Sequence, residues 1–89
     1  MRLSPDEVRA RTRSAISRAS SVPVRNLKDE FTLRGDLRIS DQGFVQLAQD
    51  LRSVIQINMP FNSLLVKEIK TASATVANVT ALVEKRSFA

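Results

Sequence analysis

Apolar residues recur with a helical period in separate stretches of this chain, and turn-forming residues lie between them. Over 5–20, Val8, Thr12, Ala15, Ile16 and Ala19 fall within one arc at 100° per residue, while Arg9, Arg11, Arg13 and Arg18 take the sides and back. Ser4-Pro5-Asp6-Glu7 supplies the start: a hydroxyl to cap, a proline at the first helical position, and a carboxylate able to close a capping box. The spacing predicts a first helix over 5–20. The clearest pattern runs from Asp41 to Ile55, where Phe44, Val45, Leu47, Ala48, Leu51, Val54 and Ile55 cover about half of a helix. Gln42, Gln46, Gln49, Asp50 and Ser53 cover the rest. Gly43 lies in the first turn, where glycine costs up to about 1 kcal/mol of propensity relative to alanine.

Pro60 then breaks the chain. Asn62 or Ser63 is suited to cap a short third helix through Leu64, Leu65 and Ile69, and Ser73 or Thr75 a fourth whose Val76, Val79, Leu82 and Val83 share a face. Lys85 and Arg86 fall where the macrodipole of that helix favours cations. Between the first two helices, Ser21 to Ile39 contains Pro23, Asn26 and Gly35 and no sustained period. It reads as a long loop pressed onto the core by single side chains: Val22, Val24, Leu27, Phe31, Leu33 and Leu37. The expected architecture is all-α, four helices in one domain over 1–89.

At 89 residues such a domain buries only about 60–65% of the surface its unfolded chain exposes, so its stability margin is thin. The absence of cysteine and histidine removes disulfides, thiolate nucleophiles, sulfur-ligated metal and the commonest general base. No carboxylate pair has acid/base spacing, and Gly35 and Gly43 build no phosphate loop, so a non-enzymatic role is expected. No apolar run has the length of a signal peptide core or a membrane span, which makes a cytoplasmic protein the expectation.

Charge changes the picture more. The chain carries a formal +5, and residues 1–38 hold nine Lys/Arg against five Asp/Glu while 39–89 hold five against four. Arg9, Arg11, Arg13 and Arg18, with Arg2, Arg25, Lys28, Arg34 and Arg38, read either as a solvated helix face with its neighbours or as a footprint for an anionic partner. Zinc-finger spacing and a helix-turn-helix turn are missing, and four phenylalanines are the whole aromatic inventory, so nucleic acid is the weaker fit. An acidic protein fits equally well.

The landmarks resemble those of the acyl carrier protein family. Ala15-Ile16 matches the end of its first helix, Val22 the opening of its loop, Leu27 and Leu33 its loop anchors, and Asp36-Leu37 its Asp-Leu pair. Val45, Leu47, Leu51 and Ile55 match the buried side of its second helix, Met59-Pro60 the Ile-Pro that follows, and Thr75-Val76 the start of its last helix if about six extra residues precede it. The likeness covers about half of the chain. It implies a four-helix bundle with a long loop between helices one and two, acting in acyl or related thioester transfer, in fatty acid or polyketide biosynthesis, alongside an acyl-transfer or modifying enzyme.

The chain departs from that family where the phosphopantetheine arm is attached. The family opens helix two with Asp-Ser-Leu; here Ser40-Asp41-Gln42 inverts the pair and places Asp41 at the serine position. A carboxylate phosphorylated there would be an acyl phosphate that water hydrolyses, so Asp41 cannot keep an arm. Three readings of Ser40-Asp41 stand: Ser40 caps the helix with Asp41 favouring its positive end; Ser40 carries 4′-phosphopantetheine, displaced by about 100° and 1.5 Å; or the pair belongs to a partner-docking surface. The docking face that is acidic in the family is here Gln42, Gln46 and Gln49 with Asp50 and Arg52, which removes most of the electrostatic steering toward basic enzymes. The resulting expectation is a divergent or arm-less carrier-like domain acting by protein contact; the alternative is a small basic helical module for nucleic acid or another anionic surface.

Overall fold

A computed structural model describes residues 3–58, 69 and 74–88, with the side chains of 56–58 left aside. Among these residues the fold is all-α, with helices α1 (Pro5–Ser20), α2 (Asp41–Asn58) and α3 (Val76–Phe88) and a 3-10 turn at Val24–Asn26. One isolated bridge pairs Thr32 with Thr75. Each helix packs on the other two. The short helix expected between Asn62 and Ile69 lies outside the described residues except for Ile69, which is fully buried. Among the described residues no helix is long and apolar enough to cross a membrane.

One capping arrangement begins each of α1, α2 and α3. The hydroxyl of Ser4 accepts from the Glu7 N–H at 3.3 Å, that of Ser40 from the Gly43 N–H at 3.1 Å, and that of Thr75 from the Asn78 N–H at 3.2 Å. In α3 the Asn78 side chain also accepts from the Thr75 N–H at 3.2 Å, closing a reciprocal box. Each cap is worth about 1 kcal/mol, because the first N–H groups of a helix have no acceptor within it. α1 ends when Ser21 turns left-handed (φ 62°) and donates its N–H to the Ser17 carbonyl.

The expected apolar faces form the core. Val8, Thr12, Ala15 and Ile16 of α1, Phe44, Leu47, Ala48, Leu51, Val54 and Ile55 of α2, and Val76, Val79 and Val83 of α3 are buried, with Ala19 and Leu82 packed against them. Thr12 and Thr80 stay satisfied inside this core by donating to carbonyls four residues back, Val8 and Val76. α2 runs three residues beyond the expected end at Ile55, to Asn58.

Two sequence expectations fail. Val45 was assigned to the buried side of α2, yet it is 47% exposed. At 100° per residue it projects about 130° from the middle of the Phe44–Leu47–Leu51 arc, so the helical wheel itself places it outside. Val24, expected to anchor the loop, is 41% exposed, because it lies in the 3-10 turn that carries the chain around the end of α1.

The other anchors explain how so long a loop is held. Leu27, Leu33 and Leu37 are buried, Val22 and Phe31 partly so, and Ile39 adds an anchor that the pattern did not single out. The loop backbone also completes α3: the Phe31 carbonyl accepts from Val76 N–H at 2.9 Å and the Asp29 carbonyl from Ala77 N–H at 3.1 Å. Leu33 N–H donates to the Ala74 carbonyl at 3.0 Å, and Ile39 N–H to the Leu33 carbonyl at 3.0 Å. The loop thus supplies acceptors for two of the N–H groups that α3 cannot satisfy itself.

Candidate functional site at the start of α2

Ser40, Asp41 and Gln42, which the sequence singled out, form the N-terminal turn of α2, just after the long loop. Asp36 organises that loop. Its Oδ2 accepts from the Thr32 N–H at 2.9 Å and the Thr32 hydroxyl at 3.3 Å, while its own N–H donates to Thr32 Oγ1 at 3.0 Å. Leu37, beside it, enters the core. The Asp-Leu pair therefore works as a latch and an anchor on consecutive residues, ahead of the helix start.

Arg38 follows with φ 53°, a left-handed backbone that costs a non-glycine residue roughly 1 kcal/mol or more. Ile39 then turns inward, and Ser40, Asp41 and Gln42 are exposed. Ser40 Oγ is engaged by the Gly43 N–H, as the capping reading required. Asp41 occupies the first helical position, where a carboxylate favours the positive end of the dipole. Arg34 places its guanidinium 5.9 Å from the centroid of the buried Phe44 ring, so a cation stands over the same turn.

Gly43 allows α2 to begin this close to its neighbours. A Cβ there would lie 2.8 Å from Ile39 Cγ2, 3.3 Å from Ser40 Oγ and 3.5 Å from the Ala19 carbonyl of α1. Propensity favours alanine by up to about 1 kcal/mol, but pushing back a buried, β-branched isoleucine costs about 1–3 kcal/mol. We therefore expect Gly43→Ala to lower stability by about 1–2 kcal/mol in urea titrations; a gain would show that the contact relaxes freely.

The four residues named for partner docking share one side of α2, within an arc of about 100° at 100° per residue. Gln42, Gln46 and Gln49 are exposed, and the Gln46 amide donates to Asp50 Oδ1 at 3.3 Å. Asp50 is half-buried, 3.6 Å from Arg18 of α1. Val45 is the exposed apolar residue that the sequence reading missed on the outer face, and its wheel position was the available signal.

The basic residues of α1 differ in their partners. Arg9 pairs with Glu84 of α3, whose hydrogen bond and charge raise an already high pKa, so Arg9 stays a cation. Arg13 pairs with Asp29 at 2.7 Å and donates to the Leu27 carbonyl at 2.6 Å, tying the loop to α1. These two arginines, with Asp29, Thr80 and Glu84, line a cleft of about 310 Å³ between α1 and α3. Among the described residues no cluster of three carboxylates is placed to hold a metal ion. Comparison with protein-family models, with curated proteins and with solved structures finds no match to this chain.

Proposed function

We propose that the protein is a divergent acyl-carrier-like domain that works by protein contact in acyl or related thioester transfer, without a phosphopantetheine arm. The same reading makes it a four-helix bundle, the short helix expected after Pro60 being its third. The carrying observation is the start of α2: an exposed Ser40-Asp41-Gln42 turn in which the only hydroxyl caps the helix through Gly43 N–H at 3.1 Å. At the next position is a carboxylate, whose phosphoryl derivative would not survive in water. The Asp36-Leu37 latch and the buried Leu27 and Leu33 support the same reading, since they fix the long loop that delivers this turn to the surface. Contact with an acyl-transfer or modifying enzyme would fall on Gln42, Gln46, Gln49 and Asp50, beside the exposed Val45 and Arg52.

The rival, a basic module for nucleic acid, loses support from the ion pairs. Arg9 and Arg13 are already paired with Glu84 and Asp29, and Arg18 faces Asp50. A duplex-DNA titration would still reveal it, through a salt slope near −0.9 per phosphate contacted.

Intact mass after incubation with coenzyme A and a broad phosphopantetheinyl transferase tests the proposal. The natural chain and Ser40→Ala should gain nothing, and Asp41→Ser should gain one arm. A gain on the natural chain that disappears in Ser40→Ala overturns the arm-less reading and assigns the arm to Ser40. No gain on Asp41→Ser counts against the carrier family itself. Losing the Ser40 cap costs about 1 kcal/mol, so Ser40→Ala is first shown to be folded by circular dichroism.

A further inference from the structure

The four arginines of α1 are used in two ways. Arg9 and Arg13, on the flank toward α3 and the loop, are bound by Glu84 and Asp29. Arg11 and Arg18 lie on the other flank, toward α2, and both are exposed. Arg11 has no ion-pair partner among the described residues, and Arg18, its side chain 70% exposed, reaches Asp50 only at 3.6 Å. With Ser14, Asp50 and Ser53 they line a groove of about 180 Å³ whose floor is Ala15 and Val54.

We propose that this flank is a docking surface for an acidic amphipathic helix of a partner protein. Arg11 and Arg18 are seven residues apart, hence about 10.5 Å along α1, a separation that carboxylates two turns apart on a second helix can meet. The floor accepts an apolar side chain between those contacts. A carboxylate from outside would also replace the long Arg18–Asp50 contact, since Asp50 keeps the Gln46 amide as a donor. Asp50 makes the groove selective. The continuous charge of a nucleic acid backbone meets that carboxylate, whereas a helix can place its own carboxylates opposite the arginines alone. The inference uses neither Ser40 nor Asp41 and stands or falls apart from the carrier reading.

The test uses the full chain, 15N-labelled, and a capped alanine-based helical peptide of about fifteen residues with two glutamates seven apart and leucine between them on the same face. Amide shifts should concentrate at Arg11, Ser14, Arg18, Asp50 and Ser53. Affinity should fall about five- to tenfold in R11Q/R18Q, as expected for two partly exposed ion pairs. R25Q/K85Q, which removes the same charge elsewhere, should change it by no more than about twofold. Equal losses in the two variants overturn the proposal, as do shifts centred elsewhere or equal binding of the glutamine version of the peptide. A short DNA duplex or a phosphatidylserine vesicle that competes at the same residues with higher affinity also overturns it, in favour of a polyanion site. Should R11Q/R18Q melt well below the natural chain, Arg11→Gln alone decides the matter, since among the described residues it breaks no ion pair.

Discussion

Replacing Phe44 with alanine should cost about 3–5 kcal/mol, the range found when a fully buried aromatic side chain leaves a cavity that its surroundings fill only in part. Phe44 is 0% exposed, in the first turn of α2, within a core shared with Ile16 of α1 and Val79 of α3. Its loss would also remove the ring beneath Arg34, a contact worth about 0.5–1 kcal/mol at an exposed site. Domains of this size start from about 5–15 kcal/mol, so much of the margin would be gone. Urea unfolding followed by far-UV circular dichroism should show the midpoint of Phe44→Ala shifted far down. Val45→Ala, one residue on, should stay within about 0.5 kcal/mol because that side chain already faces solvent. Similar costs for the two substitutions would mean that α2 is rotated from the orientation described here.

Leu33→Ala should be nearly as damaging, at about 2–5 kcal/mol, although the residue belongs to the loop. Its side chain is 0% exposed, its N–H donates to Ala74 and its carbonyl accepts from Ile39. A cavity there loosens the segment that also carries the Phe31 and Asp29 carbonyls to the start of α3. Hydrogen exchange should therefore accelerate at Val76 and Ala77 as well as at Leu33. Val24→Ala, in the same loop, should leave both stability and exchange nearly unchanged, since Val24 is 41% exposed. If α3 keeps its protection in Leu33→Ala, the loop is not what closes that helix.

These two pairs show where the pattern was legible and where it was not. The starts of α1 and α2 were readable because a cap is a local event: a hydroxyl at Ser4 or Ser40 needs only the backbone N–H three residues on. Val45 was misassigned by counting apolar residues along α2 instead of asking which side of the wheel each occupies. Val24 could not be separated from Leu27 or Leu33, because a loop has no period and apolar character alone does not say which side chain meets the core. Gly43 looked like a cost to α2; its reason, the nearness of Ile39 and of the Ala19 carbonyl, depends on residues brought together by the fold.

The candidate site divides in the same way. The cap at Ser40 and the charge of Asp41 at the positive helix end depend on neighbouring residues, so the sequence alone offered them as one of three readings, and it determined the three described helices and most of their buried faces. The tertiary structure decided how the long loop is held, through hydrogen bonds from Phe31, Asp29 and Leu33 to the segment beginning α3. It also decided the fate of the arginines, fixing Arg9 and Arg13 to Glu84 and Asp29 while leaving Arg11 and Arg18 toward the α1–α2 groove. Caps and amphipathic periods act over three or four residues, and a chain carries them wherever it goes. Ion pairs and loop contacts join residues far apart in sequence, and only the packing of the helices brings those partners within reach.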